Sequence, residues 1–178
     1  MPSKCRLFIT DATKRIMRIA NITYPDVENG IGCRVTLWTQ GCPHHCEGCH
    51  NPETWPFDGG HEFTDDDKKK LFDVLSKGFI RGITFSGGDP LVWYKSIVKL
   101  MKEIKEKFPT KDIWIWTGYT MKEVETKFPD ILEYVDVLID GVFVIEEKDL
   151  SLKWRGSKNQ VIWEKDSSGK FIMSPMND

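Results

Sequence analysis

Three cysteines within eight residues, Cys42, Cys46 and Cys49, constrain this chain more than any other feature of it. A Cys-x3-Cys-x2-Cys spacing would align three thiols on one helix face as a buried apolar stripe. Gly41, Pro43 and Gly48 argue against that helix, because glycine and proline are the residues a helix tolerates least. A loop folded round a metal fits better, and its glycines let backbone N–H groups approach a cluster's sulfides. Two metals stand open on the residues alone. Structural zinc needs four closed ligands, and His44, His45 or His50 would supply the fourth. A [4Fe–4S] cluster normally takes four thiolates, and here only three are gathered. Cys5 and Cys33 are poorly positioned for a fourth and read as incidental small apolar residues. Three thiolates on four irons leave one iron open to a small molecule.

Five cysteines is an odd count with three clustered, and in a reducing compartment that clustering favours metal binding over a disulfide framework. The cytoplasm is the expected location: residues 1–18 do not form a secretory signal, and the longest apolar stretch, Tyr134 to Ile145, carries Asp136 and Asp140. The net charge of −2 supplies no drive toward nucleic acid or an anionic membrane, so neither is expected as a partner. The run Lys68-Lys69-Lys70 follows Asp65-Asp66-Asp67 and reads as a solvated helix start. At 178 residues the chain is expected to form one domain over residues 18–178, preceded by an extension of residues 1–17. Seven tryptophans imply a well-filled core or an adhesive face.

Residues 34–40 are β-rich and form the first secure strand. From Arg18 a short apolar stretch leads to Pro25 and the glycine-rich turn at Asn29-Gly30-Ile31-Gly32. Thr64 caps a helix with Leu71, Phe72 and Leu75 on its apolar side, ending at Gly78 or Gly82. Residues 83–86 form a buried strand before Gly87-Gly88-Asp89-Pro90. A helix over 94–108 aligns Ile97, Val98, Met101, Ile104 and Phe108. A strand at 112–117, a helix over 121–134 interrupted near Pro129, and a strand at 135–140 follow, with two β-like pieces around Ser167-Ser168-Gly169. Short strands alternating with helices predict an α/β fold with a mainly parallel sheet. Too few units are present to close an eight-stranded barrel, so the expectation is an open partial (βα) barrel. Ligand sites in such folds lie beyond the carboxyl ends of the strands, which gathers the cysteine loop, Gly87-Gly88, Gly118-Tyr119 and Asp140-Gly141 at one rim.

Cys42-x3-Cys46-x2-Cys49 followed by Gly87-Gly88-Asp89-Pro90 resembles the radical S-adenosylmethionine superfamily. Further blocks narrow the resemblance: Asn29-Gly30-Ile31-Gly32-Cys33-Arg34, Lys111 through Tyr119 with its Trp116-Thr117-Gly118-Tyr119, and Trp154-Arg155-Gly156-Ser157-x-Asn159-Gln160. Together they look like the activating proteins of the anaerobic (class III) ribonucleoside-triphosphate reductases, over residues 18 to 163. Ile31 stands where that family's turn has Pro, His50 where an aromatic such as Tyr is common, and Gly48 at the wider superfamily's aromatic position.

The resemblance implies a barrel of the radical S-adenosylmethionine type. Cys42, Cys46 and Cys49 would bind three irons of a [4Fe–4S] cluster, and S-adenosylmethionine would chelate the fourth. Gly87 and Gly88 would let the backbone approach the methionine moiety, and Asp89 would accept from its ammonium. Gly48, Cys49 and His50 would border the adenine, with Thr117 and Gly118 near the nucleoside. Reductive cleavage would give a radical that abstracts hydrogen from a glycine on the reductase's large glycyl radical subunit. A low-potential donor such as reduced flavodoxin would supply the electron. No acid, base or nucleophile beyond cluster and cofactor is implied. Activation of another glycyl radical enzyme, of the pyruvate formate-lyase type, and a non-catalytic zinc module are the competing readings. Arg155, Asn159 and Gln160 would either contact the partner or hold the C-terminal segment down, and Asp140 would either cap a turn or serve the site.

Overall fold

The computed structural model describes residues 16–178, so the extension expected over residues 1–17 lies almost wholly outside the described residues, as does Cys5. One sheet of eight strands organises the described residues. In sequence order the strands are β1 (Arg18–Asp26), β2 (Arg34–Thr39), β3 (His61–Glu62), β4 (Gly82–Gly87), β5 (Asp112–Trp116), β6 (Val137–Asp140), β7 (Val161–Lys165) and β8 (Phe171–Met173). Across the sheet they run β3-β1-β2-β4-β5-β6-β7-β8.

The expectation of a mainly parallel sheet needs correction. Three neighbouring pairs are parallel (β2 with β4, β4 with β5, β5 with β6) and the other four are antiparallel. The reason lies in the connections. A parallel return requires a crossover of a dozen or more residues, usually helical, whereas short links return the chain antiparallel. Helices α1 (Asp65–Leu75) and α2 (Tyr94–Lys107), and then α3 (Met121–Lys127) with α4 (Ile131–Tyr134), separate the central strands. The β1–β2 and β7–β8 links contain no helix, so those pairs close antiparallel on the two flanks.

Side chains in β5 alternate between the two faces. Ile113 and Ile115 enter the larger core against the helices, while Trp114 enters a second cluster with Val137, Ile139 and Ile162. The larger core takes Leu71, Val74 and Leu75 from α1, and Ile97, Met101 and Ile104 from α2. On the opposite face Arg34 is fully buried, ion-paired to Asp112 at 2.6 Å and stacked over Trp114. Thr64 caps α1 as the sequence implies, through a reciprocal box in which its hydroxyl accepts from the Asp67 amide. The helix stops at Leu75 with Ser76 as its C-cap, before either expected glycine. Thr120 and Glu123 form the same kind of box at α3. Among the described residues, no helix is long and apolar enough to cross a membrane.

Candidate metal and cofactor site

Beyond the carboxyl ends of β2, β4, β5 and β6 lies an open cleft of about 810 Å³. Cys42, Cys46 and Cys49 all line it. Their loop is pinned at its start, where the Gly41 and Cys42 amides donate to the carbonyls of Thr54 and Trp55 at 2.7 and 3.1 Å. It is closed at its end by the Cys49 amide donating to the Cys46 carbonyl at 3.1 Å. Cys42 is buried, and Cys46 and Cys49 are half-buried. Burial pushes the Cys42 thiol up to about 11, with the nearby Asp89 charge adding to the effect. Burial also pushes the Cys46 thiol up.

Backbone N–H groups oppose burial at two of these thiols: those of His44 and His45 draw Cys42 down, and that of Phe143, in the segment leaving β6, draws Cys46 down. Cys49 Sγ accepts from the Asn51 amide at 3.4 Å. Such donors stabilise thiolate character and are the expected surroundings of cluster ligands.

The three histidines of the loop have neighbours of their own. His44 Nε2 is held 2.7 Å from Asp89 Oδ2, His45 packs edge-on against Trp55, and His50 lies tilted against Phe143. Cys33 packs against the main core. Among the described residues, no three His, Cys, Asp or Glu side chains gather tightly enough to hold a single ion. Three soft thiolates lining one open cleft suit a polynuclear iron–sulfur cluster with an open position.

Of the sequence-derived site residues, Cys49, His50, Gly87, Gly88, Asp89, Thr117 and Gly118 line this cleft together with Cys42 and Cys46. Gly48 does not. It sits under Ile145 and Phe143, and a Cβ there would stand 2.8 Å from Ile145 Cδ1. Gly87 and Gly88 are required by the chain itself. A Cβ on Gly87 would meet the Thr39 backbone at 2.5 Å, and one on Gly88 the Gly41 carbonyl oxygen at 2.3 Å. These glycines lock the β4 exit against the cysteine loop.

Asp89 has a similar internal role. It is 1 % exposed, and its carboxylate accepts from the Leu91 amide, the Thr117 hydroxyl and the Gly118 amide besides facing His44. Asp140 is also structural, accepting from the amides of Met121 and Val161 at 2.7 and 3.1 Å. Gln160 holds the C-terminal segment down: its Oε1 accepts from the Gly156 and Ser157 amides, and its Nε2 donates to the Gly141 carbonyl. The Arg155 guanidinium donates to the Gln160 and Asn177 carbonyls. Asn159 Nδ2 donates to the Val142 carbonyl at 2.8 Å.

Sequence reasoning missed the Phe143 amide and weighed His44 only as a zinc ligand. A histidine between two clustered cysteines was a visible signal for the latter. Phe143 carried none, since its contribution comes from the backbone.

Residues 28–163 match the family model of a 4Fe-4S single cluster domain. The chain is similar to three curated proteins named anaerobic ribonucleoside-triphosphate reductase-activating protein. That of enterobacteria phage T4 is 48% identical over 145 residues, 79% of this chain and 90% of the relative. That of Vibrio cholerae is 44% identical over 144 residues, 78% of this chain and 93% of the relative. That of Escherichia coli is 43% identical over 144 residues, 78% of this chain and 94% of the relative.

Proposed function

This chain belongs to the family of anaerobic ribonucleoside-triphosphate reductase-activating proteins, and on that premise we propose that it generates the glycyl radical on such a reductase's large subunit. One observation carries the reading: three thiols of one loop line a single cleft at the sheet's carboxyl rim.

In the proposed arrangement Cys42, Cys46 and Cys49 hold three irons of a [4Fe–4S] cluster. The cluster, when bound, supplies one electron for reductive cleavage of S-adenosylmethionine. The chain's own residues orient and shield. His50, Gly87, Gly88, Thr117 and Gly118 border the cofactor, and aromatic walls from Trp38, Trp116 and Trp154 limit water. Asp89 serves by fixing the cysteine loop to the exits of β4 and β5, since its oxygens are already taken by chain donors. The parallel centre β2-β4-β5-β6, with its strand ends on the cleft, supports an open partial (βα) barrel of the radical S-adenosylmethionine type within one domain over residues 18–178. A cytoplasmic setting and a low-potential donor such as reduced flavodoxin complete the reading.

The test is anaerobic reconstitution followed by reduction with dithionite. The protein is expected to bind about four irons per chain and to cleave S-adenosylmethionine only when reduced. Cys46→Ala abolishes cleavage, and Cys33→Ala leaves the iron content unchanged. A colourless protein carrying one zinc, or normal cleavage by Cys46→Ala, overturns the proposal.

A further inference from the structure

Two tryptophans are drawn apart over a serine in the wall of the cleft. Trp38 of β2, Ser86 of β4 and Trp116 of β5 stand on the sheet face away from the helices, since their neighbours Leu37, Phe85 and Ile115 enter the larger core. Strand register sets the three level. Trp38 pairs with Ser86, and the pairing of Phe85 with Ile115 places Trp116 on the other side of Ser86. All three line the cleft and are half-buried. Trp38 Nε1 donates to the Thr23 hydroxyl at 2.8 Å, toward β1, and Trp116 Nε1 donates to the Trp154 carbonyl at 2.8 Å. Trp154 packs with the cluster formed by β6 and β7, so the two indoles are anchored on opposite sides, each away from Ser86. The second anchor is set by tertiary contacts: Trp154 holds φ 54°, which bulky residues rarely take, and its ring packs edge-on against Trp114.

The row beneath is closed. Thr36, Thr84 and Trp114 occupy the same three strands two residues earlier, and none is more than 2 % exposed. The Thr36 hydroxyl donates to the Asp26 carboxylate at 2.6 Å, and the Thr84 hydroxyl to the Asn29 carbonyl at 2.7 Å. Ser86 differs, because among the described residues its hydroxyl has no hydrogen-bond partner. A gap therefore opens between two indoles, floored by an unengaged hydroxyl and ended below by a sealed layer. The flanking strands are two sheet spacings apart, roughly 10 Å between backbones. With the two rings counted, that is width for one extended backbone and not for a bulky side chain. The gap begins one residue before Gly87, so its occupant lies next to the cofactor position. The same cleft is lined at the β1–β2 turn by Val27, which is strongly exposed, so the cleft is open to solvent there.

We propose that Ser86 is a substrate-binding residue: the gap between Trp38 and Trp116 takes the reductase's glycine-bearing segment as extended backbone, and the Ser86 hydroxyl donates to one of its peptide carbonyls. The inference rests on the function proposed above and names how that site holds its polypeptide substrate. Glycine suits the gap because it brings no side chain against either indole. Its flanking peptides lose water on entry and need the hydrogen bond that Ser86 offers.

The test combines reduced holoprotein and S-adenosylmethionine with the large reductase subunit from the same genome. Ser86→Leu fills the gap, and Ser86→Ala keeps it open without the hydroxyl. Glycyl radical is counted by electron paramagnetic resonance, and methionine released is measured in the same reactions. Ser86→Leu is expected to yield about tenfold less radical per methionine released. Ser86→Ala is expected to raise KM for the large subunit roughly three- to tenfold, more than it lowers kcat. A parent-like ratio in Ser86→Leu overturns the inference. So does a fall of radical and methionine in proportion, which assigns the gap to the cofactor. If Ser86→Leu retains less iron than the parent, Ser86→Ala decides: a raised KM supports the inference and an unchanged KM overturns it. A parent protein that releases methionine but forms no radical on the subunit defeats the function proposed above. A radical-forming parent whose variants match it defeats the inference alone.

Discussion

His44 Nε2 stands 2.7 Å from Asp89 Oδ2, so a residue between two cysteines of the loop is bonded to the carboxylate that organises the neighbouring strand ends. The same oxygen accepts from the Gly118 amide at 2.9 Å and the Thr117 hydroxyl at 2.9 Å. The imidazole also packs edge-on against Tyr119. One buried carboxylate thus ties the cysteine loop, the exit of β4 and the exit of β5 into one unit. Every backbone and hydroxyl group facing it is a donor, so an amide in its place would turn N–H toward N–H. Asp89→Asn is expected to cost about 1–3 kcal/mol in urea unfolding. His44→Ala is expected to cost less than Asp89→Asn, because Asp89 keeps its other partners, but to lower the iron retained after gel filtration. Unchanged stability in Asp89→Asn would show that the network is incidental.

Glycine at two positions is explained by what a Cβ would strike, and a third is the contrast. At Gly118 it would meet the His44 ring at 2.4 Å, and at Gly88 the Gly41 carbonyl oxygen at 2.3 Å. Gly78 has no atom within 4 Å of the same point and is not in the left-handed region. Gly88→Ala, pressed against backbone that cannot rotate away, is expected to lose about 1–3 kcal/mol, and Gly118→Ala to displace His44 at similar cost. Gly78→Ala is expected to be neutral or to gain roughly 0.4–1 kcal/mol by restricting the unfolded chain. Thermal unfolding of the three variants beside the parent measures all of this, and equal melting temperatures would refute the packing account.

Local signals made much of this fold readable. Thr64 with acids behind it announced α1, the spacing of Ile97, Met101 and Ile104 announced α2, and the β-branched and aromatic runs marked β2, β4 and β5. β1 was harder to recognise. Its sequence Arg-Ile-Ala-Asn-Ile-Thr-Tyr-Pro-Asp alternates imperfectly and carries bulges against β2, so it becomes a strand through pairing more than through its own pattern. The antiparallel flanks were illegible for the same reason, since strand direction is fixed by connections and partners. At the site, residue types marked the three thiols, but the purpose of Asp89 depends on partners 28 and 45 residues away. An acidic residue after two glycines suggested a ligand contact, whereas the folded chain satisfies it internally. The Phe143 amide was beyond reach, because a backbone donor carries no side-chain signature.

Asp26 gives the fold a pH dependence of definite sign. It is 8 % exposed at the β1–β2 turn and accepts from the Thr36 hydroxyl at 2.6 Å, the Asn29 side chain at 2.7 Å, and the amides of Glu28 and Asn29. Burial alone would raise its carboxyl, but these four donors outweigh burial and hold it below the usual 3.8. A group whose folded value is depressed favours the ionised folded state, so its stabilisation is complete above the unfolded value and fades as pH falls through the folded one. Asp26→Asn turns an amide toward the Thr36 and Asn29 donors and is expected to cost about 1–3 kcal/mol at pH 7. The stability gap between parent and variant should narrow as the pH is lowered from about 5 to 3, because the parent then loses the charge that the variant never had. Urea titrations of both proteins across that range measure the gap directly. A gap that stays constant or widens on acidification would mean that the Asp26 charge does not hold this turn.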